Sequence, residues 1–292
     1  VYNKTRIAPT PSGYLHIGNI LSFAITAALA RRNGAKILLR IDDMDRARAD
    51  KRYVDDIFET LNFLDIPWDE GPRNADDFES NWSQTRRLDL YNEALQQLWD
   101  TGKVFACTCS RAQIEAAGTN GVYPGTCRNK RLPPDTPSAA WRLETSASDE
   151  IVVKTLSGVI KTILPEDMHD FIVRKKDGYP AYQLTSVIDD LYFGINLIVR
   201  GQDLWASTLA QHYLASALNR SEFSPITFYH HPLITQADGQ KLSKSAGATS
   251  VKYLREEGKS PADIYAEIAG MLGASRPVSH WNELIKLVNE LR

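Results

Sequence analysis

Cysteine is scarce in this chain, with three among 292 residues, all between Cys107 and Cys127. That count excludes the disulfide framework of a small secreted scaffold. Long apolar runs are missing as well. No stretch approaches the ~18–20 apolar residues that cross a bilayer, although 43% of the chain is hydrophobic. The opening residues Val1-Tyr2-Asn3-Lys4 lack the apolar core of a signal peptide. A soluble, cytoplasmic protein without membrane contact is expected, and a monomer. Neither sign of charge dominates, and a net charge of −2 excludes a molecule that is basic all over. No internal repeat, no low-complexity tract and no supported Ser/His/Asp arrangement is found.

What is present is uneven. Residues 1–52 carry ten Lys/Arg against four Asp, residues 55–80 nine Asp/Glu against one Arg, and residues 103–131 five Lys/Arg against one Glu. Solvated faces of mixed sign would account for each block alone. Together they also fit a polyanion held on two local basic surfaces.

Asn3–Ala8 reads as a strand, and Pro9-Thr10-Pro11-Ser12-Gly13 as a loop, since two prolines two apart cannot continue a ladder. A helix follows from Gly18 to Arg32, apolar on most sides and so largely buried. Asn33-Gly34 ends it, and Lys36–Ile41 forms a second strand. This βαβ unit predicts an α/β fold with a doubly wound parallel sheet and ligands at the carboxyl ends of its strands. The pattern predicts helices over 50–64 and 83–101, then an insertion over 103–165 holding all three cysteines. It resumes with Phe171–Arg174, Tyr182–Asp190, Asn196–Arg200 and Leu204–Leu218. The expected division is 1–102 and 166–235 for the two halves of a nucleotide-binding domain, 103–165 for the insertion, and 236–292 for a loop and a helical C-terminal part.

Two distant strings carry the chemistry. His16-Ile17-Gly18-Asn19 follows the Pro-rich loop at a helix start, and Lys241-Leu242-Ser243-Lys244-Ser245 lies in a polar loop. A helix N-terminus offers unpaired N–H groups and a partial positive charge to a phosphate. An ammonium can grip the other end of a triphosphate. Gly18 lets a backbone or a base approach closely. His16 alone would be an ordinary capping histidine; in company with Lys244 it becomes a nucleotide-site candidate. His230-His231 is read as lining or packing near that nucleotide.

The cysteines form Cys107-Thr108-Cys109, with Tyr123 after thirteen intervening residues and Cys127 after three more. Such confinement points to a structural zinc site. A disulfide or simply buried thiols are the competing readings. From the residues alone the fourth ligand stays open, since water, a histidine or a carboxylate is commoner than a tyrosine.

The N-terminal segment, Leu39-Arg40-Ile41-Asp42-Asp43-Met44-Asp45 and the lysine loop closely resemble the glutamyl branch of class I aminoacyl-tRNA synthetases, over nearly the whole chain. The resemblance implies a Rossmann-like catalytic domain. It implies catalytic roles for His16, Asn19, Lys241 and Lys244, with ATP and Mg²⁺ held through His16, Gly18, Asn19 and Lys244. It assigns a glutamate pocket to Arg6, Ile7, Ala8, Pro9, Thr10, Asp42, Tyr182 and Arg200. In it Asp42 meets the α-ammonium, and Tyr182 and Arg200 meet the carboxylates. A buried arginine discriminates glutamate from glutamine by charge. For Arg200 a structural salt bridge with Asp189 or Asp203 is the plainer alternative. Thr10 stands in place of the family's Ser, and Asp42, one methylene shorter, in place of its Glu.

The spacing C-x-C…Y-x3-C is similar to the zinc motif of a truncated glutamyl-Q tRNA(Asp) subgroup, where the tyrosine oxygen completes one structural zinc site. That resemblance implies ligands Cys107, Cys109, Tyr123 and Cys127, no anticodon-binding domain, and a changed acceptor. The partner would be the anticodon stem-loop of tRNA(Asp), with the glutamyl group passed to its wobble queuosine. Arg111, Arg128, Lys130 and Arg131 are the candidates for RNA backbone contact. A short synthetase charging a tRNA 3′ end, a small-molecule adenylyl ligase and an RNA-binding module without activity are the rivals.

Overall fold

A computed structural model describes residues 1–117, 121–233, 250–274 and 278–290. The order is β1 (Lys4–Ile7), α1 (Ile17–Asn33), β2 (Lys36–Leu39), α2 (Lys51–Phe63), a single turn α3 (Ala75–Asp77), α4 (Leu88–Asp100), β3 (Val104–Cys107), α5 (Arg111–Ala116), β4 (Ala140–Leu143), β5 (Glu150–Thr155), β6 (Gly158–Ile163), β7 (Ile172–Arg174), α6 (Tyr182–Tyr192), β8 (Leu197–Gly201), α7 (Trp205–Ala217), β9 (Thr227–His231), α8 (Val251–Glu256), α9 (Pro261–Met271) and α10 (Trp281–Glu290). Among the described residues no helix is long and apolar enough to cross a membrane. The chain divides into two compact units. One comprises 1–86, 195–203 and 228–292, and the other 87–194 and 204–227.

The first unit is the predicted βαβ nucleus. β1 and β2 pair in parallel from Lys4↔Lys36 to Ile7↔Leu39. β8 lies parallel on the other flank of β1, with Thr5 opposite Leu197. The strand order β2-β1-β8-β9 means the chain leaves β1 in one direction and its second half returns on the other side. That reversal makes β1/β8 the topological switch point, whose carboxyl end is the ligand crevice of doubly wound sheets. Helix α1 is buried on almost every side, from Ile17 and Ile20 through Ala24, Ala27 and Ala30, as its composition predicted. Gly34 ends it with φ 65°, a left-handed cap that a side chain would strain. The outer edge of β2 is covered, because Leu39 N–H donates to the Glu70 carbonyl at 2.9 Å. Gly71 allows that approach: a Cβ there would stand 2.2 Å from the Leu39 carbonyl oxygen. Helix α10 packs on α1 through buried Trp281 and Leu284.

The second unit holds an antiparallel three-stranded sheet in the order β3-β4-β7, the hairpin β5–β6, and helices α4, α6 and α7. The predicted helix over 83–101 begins at Leu88, after a 3-10 turn at Gln84–Arg87. The reason is local. Ser83 and Gln84 are held by the carboxylate of Asp43, at 2.6 Å from the hydroxyl and 2.8 Å from the backbone N–H. The helix ends of this unit are tied by Asp189, which receives Arg87 at 2.7 and 3.1 Å and Tyr91 at 2.6 Å. Asp189 is therefore already engaged within α4 and α6.

Candidate active site and metal centre

The residues expected to meet a nucleotide stand at the start of α1. His16 is its N-cap, with extended backbone. The His16 Nδ1 accepts from Gly18 N–H at 3.1 Å, and Asn19 Oδ1 accepts from His16 N–H at 3.0 Å. This reciprocal box has a chemical consequence. With Nδ1 an acceptor, the neutral imidazole carries its proton on Nε2, a donor suited to a phosphate oxygen. Gly18 is required here, since a Cβ would sit 3.0 Å from the imidazole atoms. Asn19 thus acts first as a capping partner.

The flanks of the lysine loop meet this same helix. Before it, buried His231 on β9 lies 2.6 Å from Ser22 Oγ, and its Nδ1 lies 2.8 Å from the Pro232 carbonyl. After it, Ser250 bridges His16, and Val251 N–H donates to the Leu15 carbonyl at 2.8 Å. Lys241 and Lys244 lie outside the described residues. Burial, then the charge of Arg200, pushes His230 down to about 3, and burial also lowers His231. His230 stacks on Phe228, rings nearly parallel at 6.1 Å.

The strand residues expected to line an amino-acid pocket gather at the switch point. The β1–β2 ladder continues past both strands, with Arg40 N–H on the Ile7 carbonyl at 2.9 Å and Asp42 N–H on the Pro9 carbonyl at 2.8 Å. Carrying the register forward sets Arg40, Ala8 and Arg200 at one level of three adjacent strands, with Thr10 level with Asp42. Arg6, Ile7, Pro9, Asp42 and Arg200 are buried, Ala8 is half-buried and Thr10 is exposed. Arg6 donates to the Val199 carbonyl at 3.4 Å, and Arg200 lies over the Phe228 ring at 5.4 Å. Tyr182 opens α6 in the second unit and is 43% exposed. One residue here was missed from the sequence. Arg40 is 3% exposed and grips both oxygens of Asp42, Nε–Oδ1 at 2.7 Å and Nη2–Oδ2 at 3.0 Å. The alternation Arg40-Ile41-Asp42, which turns both charges to one side of an extended chain, was the available signal.

The cysteines converge in the second unit. The three Sγ atoms of Cys107, Cys109 and Cys127 lie within 4.8 Å of one another. No disulfide joins them, and Cys109 and Cys127 stand 3.6 Å apart, against about 2.05 Å for a bond. Thiolates at the corners of a zinc tetrahedron stand about 3.8 Å apart, so the trio fits a metal ion. Tyr123 presents its hydroxyl 3.4 Å from Cys107 Sγ, and that oxygen accepts Cys127 N–H at 2.8 Å. Burial pushes Cys109 up to about 11 and also raises Tyr123. At Cys127 burial is outweighed by the Thr108 backbone and the neighbouring thiols, which bring it down to about 7. The cluster packs on Phe105, stacked against Tyr123 at 6.2 Å.

Of the basic residues proposed for RNA, Arg111, Lys130 and Arg131 are exposed. Arg128 is turned inward. It bonds the Thr145 carbonyl and lies 3.5 Å from Glu144 and 3.6 Å from Asp170, so its charge is engaged inside the unit.

A doubly wound sheet with an H-x-G-[HN] helix start at its switch point defines a class I nucleotide-binding synthetase fold. Residues 3–132 and 136–287 match the model of tRNA synthetases class I (E and Q), catalytic domain, and the chain belongs to that family. It is 34% identical to glutamate–tRNA ligase 2 of Syntrophus aciditrophicus, over 97% of this chain and 60% of that protein. It is 36% identical to the glutamyl-Q tRNA(Asp) synthetase of Symbiobacterium thermophilum, over 92% of this chain and 86% of that protein. The crystal structure of glutamate–tRNA synthetase from Elizabethkingia anophelis superposes with a TM-score of 0.79 at 25% identity, covering 98% of this chain and 65% of that one. The chain spans 56–60% of the length of the glutamate–tRNA ligases it matches.

Proposed function

We propose that this protein activates L-glutamate with ATP and Mg²⁺ and transfers the glutamyl group to queuosine at the wobble position of tRNA(Asp). The observation that carries the reading is the level shared by Arg40, Ala8 and Arg200. Ala8, a residue without bulk, stands level with the buried Arg40 and Arg200, at the crevice where doubly wound sheets take ligands. An acidic amino acid fits that space by charge. The acceptor is favoured by the glutamyl-Q tRNA(Asp) synthetase relative matched over 86% of its length, and by the Cys107/Cys109/Tyr123/Cys127 cluster.

In the first step the glutamate α-carboxylate attacks the α-phosphorus in line and pyrophosphate leaves. Asp42 receives the substrate ammonium, while Arg200, Arg6 and Tyr182 hold its carboxylates. His16 donates from Nε2 to a phosphate oxygen, and Lys241 and Lys244 neutralise the charge that develops. The protein's contribution is positioning and electrostatics. A ribonucleoside hydroxyl then attacks the mixed anhydride and AMP leaves. One zinc ion, held by the three thiolates and Tyr123, staples a small region that has little core of its own. Three free thiols agree with a reducing, cytoplasmic setting.

The test is transfer of labelled glutamate to matched tRNA(Asp) with and without queuosine, followed by nuclease mapping. Label confined to the anticodon loop and dependent on queuosine supports the reading. The glutamate–tRNA ligase relatives favour a second reading, a short synthetase that charges a 3′ end. Label at the 3′ terminus, abolished by periodate in tRNA lacking queuosine, would select it.

A further inference from the structure

We infer that Arg142 is the counter-charge of the metal-loaded cysteine cluster, which it reaches through the ring of Tyr123. The inference rests on the metal reading given above and adds a residue to it.

Arg142 lies on β4 opposite Phe105 of β3, and is 7% exposed. Its Nη1 donates to the Asp170 carbonyl at 2.8 Å, and its buried Nε has no hydrogen-bond partner. No carboxylate pairs with it among the described residues. The side chain of Asp170, whose backbone carbonyl takes the Arg142 Nη1, is engaged by the Thr145 backbone at 3.0 Å, the Thr145 hydroxyl at 3.2 Å and Arg128 at 3.6 Å. What Arg142 does face is Tyr123, with the guanidinium 3.7 Å from the ring centre.

A buried guanidinium without an anion is an expensive arrangement that folded proteins avoid. The attraction of a neutral ring offsets only part of that cost. The missing anion is supplied by the cluster once it is loaded. A divalent ion bound by three thiolates leaves one net negative charge. Both the charge and its position match. Tyr123 connects the sulfurs to Arg142, its oxygen 3.4 Å from Cys107 Sγ and its ring face under the guanidinium. The same contact fixes the ring, with Phe105 stacked at 6.2 Å.

The full-length chain, stripped with a chelator, is titrated with Zn²⁺ against a chromophoric competitor and with Co²⁺ by absorption. Arg142→Gln keeps the size and loses the charge, and is expected to weaken Zn²⁺ binding by about 10–100-fold. Arg142→Lys, which keeps the charge, stays within about threefold of wild type. Tyr123→Phe, which removes the oxygen between Arg142 and the sulfurs, weakens binding as well. The double variant Arg142→Gln/Tyr123→Phe binds as Tyr123→Phe does, because two groups acting through one contact are not additive. Unchanged affinity in folded Arg142→Gln, or a double variant showing the product of both losses, overturns the inference and leaves the metal reading intact. If Arg142→Gln does not fold, Arg142→Lys decides: a tenfold loss there would place the effect in planar packing and overturn the inference. Wild-type chain that takes up no divalent ion overturns both.

Discussion

Arg40 and Asp42, two residues apart on one side of an extended segment, form a buried two-pronged ion pair with contacts of 2.7 and 3.0 Å. The pair fixes the carboxylate at the level of Thr10, where the proposed pocket takes the substrate ammonium. In the proposed pocket an aspartate can serve without the extra methylene of a glutamate, because its orientation is set by a neighbouring arginine.

Removing Arg40 strands a buried carboxylate. Arg40→Met is expected to lose about 3–5 kcal/mol of stability, read by urea unfolding. Asp42→Asn keeps the shape, and should raise KM for glutamate in ATP–pyrophosphate exchange about tenfold or more, with KM for ATP little changed. A KM for glutamate unmoved by Asp42→Asn would remove Asp42 from the amino-acid site.

His16 combines a cap with a donor, and two variants separate them. His16→Asn retains a good N-cap, so it should keep nearly full stability while exchange falls about 10²–10³-fold. His16→Ala should lose a similar rate and a further ~1 kcal/mol of stability. Equal exchange rates in wild type and His16→Asn would show that the imidazole does no chemistry.

The half-buried His230 gives the fold an acid sensitivity of known sign. Its folded value is pushed down to about 3 from an ordinary 6.5, so the unfolded chain binds a proton that the folded chain does not. Stability is whole above about pH 6.5 and declines as pH falls towards the folded value, by at most ~1.4 kcal/mol per pH unit for one such group. His230→Phe should flatten the stability profile between pH 6 and 4, measured by chemical unfolding at each pH. A profile parallel to wild type would assign the acid loss to carboxylates alone.

Metal removal should be felt in the second unit first. Chelation is expected to lower the melting temperature and to release one zinc ion per chain, with Cys127→Ser mimicking the loss. Metal analysis and calorimetry with and without chelator check this.

The basic residues should split into two kinds. Lys130→Ala and Arg131→Ala are exposed and should each reduce the salt slope of tRNA binding by about one, with little effect on stability. Arg128→Ala should leave the slope alone and lower stability, since its partners are Glu144, Asp170 and the Thr145 carbonyl.

Much of this molecule is legible in its residues. The prolines at 9 and 11 and the Asn33-Gly34 stop bound β1, α1 and β2, because these are local backbone constraints that no distant contact needs to supply. The cysteine spacing declared a metal-sized cluster for the same reason: short covalent separations limit where the sulfurs can go. Tertiary structure decided what depends on residues far apart in sequence. The switch point exists only because β8 returns beside β1, which brings Arg200 level with Ala8 across more than 190 positions. Arg128 and Arg142 look alike in the sequence, yet one meets carboxylates and the other the face of Tyr123. Composition and periodicity report which side of an element is apolar, whereas the partner of a buried charge is chosen by packing between elements, and packing is a property of the folded whole.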